Sequence, residues 1–311
     1  MNASPDSIAF DAAMPDPRTW PDARALRREA LDLRLDIVEA LHATGGGHYG
    51  GCLSVLDPLL TLYRRHLRIN PAQPRDPLRD RLILSKGHAA LALYAILRRL
   101  GYFDLPLAQY AECGSPLEGH PDMLALPGVD FSTGSLGQGL SAGVGMALAL
   151  RDTDRRVWVV LGDGECQEGQ VWEAAMLGAM CGLQRLHVVV DHNRQQEWGW
   201  AAGAPPVPSL GEKWRAFGWR CFACDGHDPD AFSAAVEAAT APGAGPSVIL
   251  ADTIKGKGVA LCESDPMRFH CDAVEASEHA HIIAGLQAAI AAMDGQAAGR
   301  RPAMAHDVGE E

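Results

Sequence analysis

Apolar residues recur every three to four positions at Leu26, Ala30, Leu33, Ile37 and Leu41, the spacing of one buried helix face, and predict a helix over 23–43. The pattern stops at Gly45, Gly46 and Gly47, where a helix cannot continue cheaply. A second helix is predicted over 54–66 with Ser54 as its cap, and Pro71, Pro74 and Pro77 then mark a loop. From there short apolar runs alternate with helical patterns. The runs predict strands over 81–84, 156–161, 186–191, 219–223 and 247–251. The intervening stretches predict helices over 89–100, 138–150, 169–181, 213–217, 230–239 and 273–293. Runs such as RVWVVL and LHVVVD are apolar on both faces, as strands covered on both sides must be. The expected fold is therefore α/β, a mostly parallel sheet with helices on both faces, occupying 23–293. A Pro-rich arm over 1–22 and a Gly-, Ala- and charge-rich tail over 294–311 are expected to be loose.

Composition narrows the picture. At 311 residues and 47% apolar, the chain has enough volume and oily surface for a large core and is not a disordered one. A net charge of −12 argues against a nucleic-acid partner, though not against a local basic pocket for a phosphorylated ligand. The first residues lack the basic and apolar regions of a secretory signal, and the longest apolar run, near 142–150, is too short to span a bilayer. The expectation is a cytoplasmic protein with no membrane contact. The eight cysteines are scattered, and the pair Cys221 and Cys224 lacks two further ligands at compact spacing, so ordinary reduced thiols are expected.

In parallel sheets ligands bind beyond the carboxyl ends of the strands. The polar segments in those places are GDGECQEG, DHNRQQEWG and DTIKGKG. Asp163 lies between Gly162 and Gly164, where the backbone can approach a ligand closely and a helix start favours anions. Thirty residues later Asn193 follows the next strand. Asp163 and Asn193 then offer oxygen ligands at neighbouring strand ends, as a hard cation such as Mg2+ or Ca2+ requires. The plainer alternative is a GDG turn and an Asn that makes its own turn.

Gly162-Asp163-Gly164 with Asn193 resembles the thiamine diphosphate signature, and the segments around it resemble transketolases. EALHATGGGHYGGCLS, DRLILSKGHAA, LEGHPD, STGSLGQG, GDGECQEGQVWEA and DTIKGKG follow the family's order over about 24–272. The resemblance implies the thiamine diphosphate-binding fold and thiamine diphosphate held by Mg2+, or by Ca2+ or Mn2+. It implies metal ligands in Asp163, Asn193 and the main-chain carbonyl of Gln195. Gly162, Gly164, Glu165 and Lys255 would border the diphosphate, and Gly134 and Leu136 the thiamine cleft. The alternative for Gly134, Gly137 and Gly139 is tight helix packing. His48 and His120 would meet substrate oxygens, and His88 and His270 would sit between diphosphate and substrate. MRFHCD lacks the Gly that usually follows the last of these, which leaves a structural histidine as the alternative there. Glu168 and Glu173 would join a carboxylate network between paired sites, or simply favour a helix start. Lys257 is expected in solvent, and His42, His66 and His187 match nothing in the family.

The resemblance stops at the amino-terminal half of a full transketolase. It implies a separate carboxyl-terminal, pyrimidine-binding subunit in an α2β2 complex. It also implies transfer of a two-carbon ketol unit from a ketose, expected to be phosphorylated, to an aldose. Tyr49, Glu197 and Trp198 depart from the family pattern and point to a specialised sugar. The alternatives are the alpha subunit of a 2-oxo acid dehydrogenase and a non-catalytic partner that keeps the fold.

Overall fold

The computed structural model describes residues 16–197 and 209–298. Five strands, β1 (Arg81–Leu84), β2 (Val157–Gly162), β3 (Leu186–His192), β4 (Arg220–Asp225) and β5 (Ser247–Asp252), form one all-parallel sheet in the order β1-β2-β3-β5-β4. Alternate side chains along each strand feed two separate cores, as the pleat requires. Leu82, Leu84, Trp158, Val160, Val189 and Ile249 pack under α1 (Ala23–Ala43), α2 (Tyr49–Thr61), α3 (Ala90–Leu100) and α7 (Pro229–Thr240). Ile83, Val159, Leu161, Val188, Val190 and Leu250 pack under α4 (Gln138–Ala149), α5 (Gly169–Met180) and α6 (Leu210–Ala216). The expected fold class is the observed one. A short α8 (Ala260–Ser264) and a long α9 (Ala276–Ala298) complete the chain, α9 lying along α1.

The largest departure from the sequence pattern is the start of α2. The helix begins at Tyr49, before Gly50 and Gly51, and ends in a π turn at Leu62–His66. Those glycines are not breakers here. A Cβ on Gly50 would lie 2.8 Å from Lys255 Cγ, and one on Gly51 would lie 3.0 Å from His88 Cδ2. The bare helix turn lets both side chains approach, and packing overrides propensity. Ser54 is therefore no cap. It lies inside α2 and donates to Asp191 Oδ2 at 2.6 Å.

Smaller differences have local causes. α6 starts earlier than expected because Ser209 and Glu212 form a reciprocal capping box. α9 runs to Ala298, past the expected start of the tail at 294. In the arm, Trp20 packs edge-on against His66 at 4.6 Å and Arg65 Nη2 donates to the Pro21 carbonyl at 2.8 Å, so residues next to α1 are docked. Residues 1–15 and 299–311 lie outside the described residues. Cys221 and Cys224 sit on opposite faces of β4, one packed against each core, and all eight cysteines are free. Among the described residues no group of three or more His, Cys, Asp or Glu is placed to hold a metal, and no helix is long and apolar enough to cross a membrane.

His187, outside every motif, is fully enclosed on β3. Its Nδ1 meets Ser247 Oγ at 2.7 Å and its ring lies 4.7 Å from Trp158. Burial, then Arg156, holds its pKa down from 6.5 to about 3. The folded chain therefore binds one proton fewer than the unfolded one across that window. The stability this residue confers is complete above pH ~6.5 and is lost as pH falls toward 3. Replacing it by Asn should flatten the acid limb of the stability curve by about one proton, ~1.4 kcal/mol per pH unit, in urea melts between pH 6 and 4.

Candidate active site

The carboxyl ends of β1, β2, β3 and β5 open on one cavity of about 250 Å3. Of the residues singled out in the sequence, His88, Leu136, Gly162, Asp163, Gly164, Glu165, Asn193, Gln195, Lys255 and His270 line it. His48, His120 and Gly134 stand outside that lining. The His48 ring centre is 5.3 Å from that of His88 and 5.5 Å from that of His270, and His88 and His270 are 5.6 Å apart. The His120 ring packs on Gly134, where a Cβ would sit 3.1 Å from Cδ2. Glu168 also lines the cavity, at the start of α5, whereas Glu173 is exposed on that helix. Lys257 is part-exposed and lines no part of the cavity.

Backbone pairing assembles the imidazoles from distant parts of the chain. Gly47 and Asp272 exchange two main-chain hydrogen bonds, of 2.9 and 3.2 Å, which set His48 beside His270. Gly46 makes this possible. Its φ is +127°, and a Cβ there would lie 2.6 Å from the Asp272 carbonyl oxygen.

Under the cavity lies a buried ion pair. Lys86 Nζ donates to Asp191 Oδ2 and, at 3.2 Å, to the Gly51 carbonyl. Asp191 also accepts from Ser54, from Thr253 Oγ1 and from Asn193 Nδ2 at 3.2 Å. Burial alone would raise the Asp191 carboxyl, but Lys86 and these donors hold it below the usual range. Asp163 is in the opposite condition. It accepts from the backbone N–H groups of Gly164, at 2.8 Å, and Arg194. Burial, and then the charge on Asp191, push it up to about 6. Asn193 Oδ1 accepts from Gln195 N–H at 3.0 Å, which fixes its amide.

Glu165 contributes more than its backbone. Its carboxylate accepts from Ser85 Oγ, from Gly137 N–H at 2.9 Å and from Gly162 N–H at 3.0 Å, joining three loops around the cavity. Lys255 Nζ lies 3.1 Å from His270 Nδ1 and 3.4 Å from the Gln196 carbonyl, and burial, then Lys86, lowers it to about 8. The imidazoles are pushed down as well. Burial, then His120, takes His48 to about 4, burial, then Lys255, takes His270 to about 4, and burial, then Lys86, holds His88 well below 6.5. At neutral pH they are uncharged hydrogen-bonding groups. The arrangement joins oxygen donors suited to a hard cation with two lysines suited to an anion, beside a wall of neutral imidazoles.

Sequence reasoning missed Lys86, Asp191 and the Glu165 carboxylate. Each stands at a strand end, which was the available signal. Tyr49 is fully buried and edge-on to Phe269 at 6.1 Å, so this departure from the family pattern is a core substitution and lines no part of the cavity. Glu197 does line the cavity, and Trp198 lies outside the described residues.

Residues 27–287 match the transketolase, thiamine diphosphate binding domain family. The chain belongs to the transketolase family. It is 44% identical over 241 residues to the 6-deoxy-6-sulfo-D-fructose transketolase subunit SqwG of Clostridium sp. strain MSTE9, covering 76% of this chain and 88% of that protein. It is 36% identical over 243 residues to an apulose-4-phosphate transketolase subunit of Phocaeicola vulgatus, covering 76% of this chain and 86% of that one. Against human transketolase the identity is 35%, over 76% of this chain but only 38% of the human one. A crystal structure of a Pichia stipitis transketolase mutant complexed with fructose 6-phosphate superposes with a TM-score of 0.75 at 26% identity, covering 90% of this chain and 45% of the other. This transketolase chain thus spans nearly the whole of two relatives named as subunits and less than half of full-length transketolases.

Proposed function

We propose that this chain is the diphosphate-binding subunit of a split transketolase, active as an α2β2 complex with a separate pyrimidine-binding subunit in the cytoplasm. The observation that carries the reading is the single cavity that gathers Asp163, Asn193, Gln195, Lys255 and His270 at the ends of parallel strands. The partner subunit is supported by the relatives, whose subunit-length chains this one matches over 86–88% of their length.

The residues fit both a cation and a diphosphate. Asp163 is a buried carboxylate, raised toward neutrality, that faces the cavity and accepts from two backbone donors. A divalent cation would supply the missing charge, and carboxylate, amide and carbonyl oxygens are the donors that Mg2+, Ca2+ or Mn2+ accept. Asp163, Asn193 and the Gln195 carbonyl would hold the metal. Gly162, Gly164, Glu165 and Lys255 would border the diphosphate, with Gly134 and Leu136 at the thiamine.

Thiamine diphosphate supplies the electron sink for breaking and re-forming the carbon–carbon bond beside a ketose carbonyl. The chain's own groups bind and orient the sugar. Lys255 is mostly protonated at pH 7 and donates to His270 Nδ1, which leaves the proton of that ring on Nε2. His48 and His120 would receive sugar oxygens, with His88 and His270 between them and the diphosphate. Because His48 and His88 are neutral, they can both donate and accept where a hydroxyl becomes a carbonyl, whereas His270, its Nδ1 already accepting from Lys255, can only donate from Nε2. Glu168 and Glu173 would belong to the carboxylates between paired sites.

The donor is a ketose bearing an anionic group, as the names of the relatives suggest. Product analysis on the assembled complex tests this. 6-Deoxy-6-sulfo-D-fructose, apulose 4-phosphate and fructose 6-phosphate are offered separately with an acceptor aldose. Release of a carbonyl product two carbons shorter from at least one supports the reading. Release of CO2 from 2-oxo acids with no ketose cleaved would move the chain to the dehydrogenase class.

A further inference from the structure

Three charged or ionisable side chains that line no part of the cavity converge behind the loop that carries Lys255. Arg34 comes from α1, Asp57 from α2 and His227 from the connection between β4 and α7. Arg34 Nη2 donates to Asp57 Oδ2 at 2.6 Å, and His227 Nδ1 meets the same oxygen at 2.6 Å. The far sides of Arg34 and His227 hold the loop. Ile254 N–H donates to His227 Nε2 at 2.8 Å, and Arg34 Nε donates to the Lys257 carbonyl at 2.8 Å. Between these points Gly256 N–H donates to the Gly50 carbonyl at 3.1 Å. The loop approaches so closely that a Cβ on Gly258 would sit 2.7 Å from Arg34 Nε.

We infer that Arg34, Asp57 and His227 are positioning residues that fix Lys255 over the cavity by clamping the main chain on both sides of it. The hydrogen-bond directions require this form. Ile254 N–H can only donate, so Nε2 accepts, and the ring proton lies on Nδ1 facing Asp57. A carboxylate on one side thereby fixes the ring that holds the loop on the other. Enclosing three such groups is a costly way to gain stability, since a well-packed apolar set of the same volume is often as stable. What the set provides is a fixed position for a main-chain segment whose lysine is itself almost buried.

The inference rests on the reading that Lys255 contacts the diphosphate, and one set of titrations separates the two. Thiamine diphosphate is titrated calorimetrically, in Mg2+, into the full chain assembled with its partner, and each variant's melting temperature is recorded. Lys255→Met reads the contact itself and should weaken binding at least tenfold. Unchanged affinity there would refute the contact and leave nothing to position. His227→Gln places an acceptor where Nε2 stood and should bind within about twofold of wild type. His227→Asn reaches Asp57 but not Ile254 and should weaken binding about tenfold, the usual scale for losing a group that orients a ligand's own contacts. Arg34→Lys keeps a charge for Asp57 but loses the bond to Lys257, and should behave like His227→Asn even if that variant folds poorly. A purely structural cluster would lower the melting temperature in every variant and leave the affinity of the folded protein unchanged. That result, with Lys255→Met weakened, overturns the clamp. So does equal weakening by Gln and Asn at 227.

Discussion

Asp163→Ala is expected to remove Mg2+-dependent thiamine diphosphate binding, by more than about 100-fold, the upper end of what is lost when a group that merely orients a metal ligand is removed. The fold should survive. The side chain ends in the cavity, accepts from two backbone N–H groups, and is already strained by burial and by the charge of Asp191. Losing it removes a carboxylate from an environment that raises its energy, so the melting temperature of the cofactor-free chain should stay level or rise. Asp163→Asn keeps an oxygen but not the charge and should fall between wild type and Ala. Calorimetric titration with and without Mg2+ reads the affinity, and scanning calorimetry reads the fold. Wild-type affinity in the Ala variant would remove Asp163 from the metal site.

The second large effect is on stability. Lys86→Met should cost ~3–5 kcal/mol, because it leaves the Asp191 carboxylate buried without its cation. In a chain of 311 residues that corresponds to a fall of about 5–8 °C in melting temperature. Asp191 is fully enclosed, and its remaining donors are Ser54, Thr253 and Asn193. The double variant Lys86→Met with Asp191→Asn should recover most of the loss, because the unpaired charge goes with it. Cofactor affinity should fall in both, since Lys86 also faces the cavity and Asp191 orients Asn193. A single variant within about 1 kcal/mol of wild type would mean that water reaches the pair.

What could be read from the sequence follows from how far apart the causes lie. The sheet was legible because each strand carries its own signal in its apolar run, and Asp163 and Asn193 were legible because each directly follows one. The start of α2 was not. The reason Gly50 and Gly51 sit inside a helix is that Lys255 and His88 pack on them, and no local pattern near Gly50 announces a partner some two hundred residues away. Lys86 and Asp191 were hidden for the same reason, since a strand end followed by a lone charge does not state which other strand end pairs with it. Tyr49 misled in the opposite sense. Its place beside His48 suggested the substrate pocket, whereas the helix turn directs its ring into the core against Phe269. The imidazole group depended on the Gly47–Asp272 pairing, which joins two loops without a recognisable strand in either.

The most direct test of the central claim is transfer of a labelled two-carbon unit. A donor ketose carrying 13C at its first two carbons is mixed with an acceptor aldose, thiamine diphosphate and Mg2+. The chain alone, its pyrimidine-binding partner alone, and the two together are compared by NMR. Label should appear in the product ketose only with both chains present, and only with cofactor and metal. Transfer by this chain alone at the rate of the mixture, or none from a mixture shown by calorimetry to hold the cofactor across a panel of ketoses, would contradict the account.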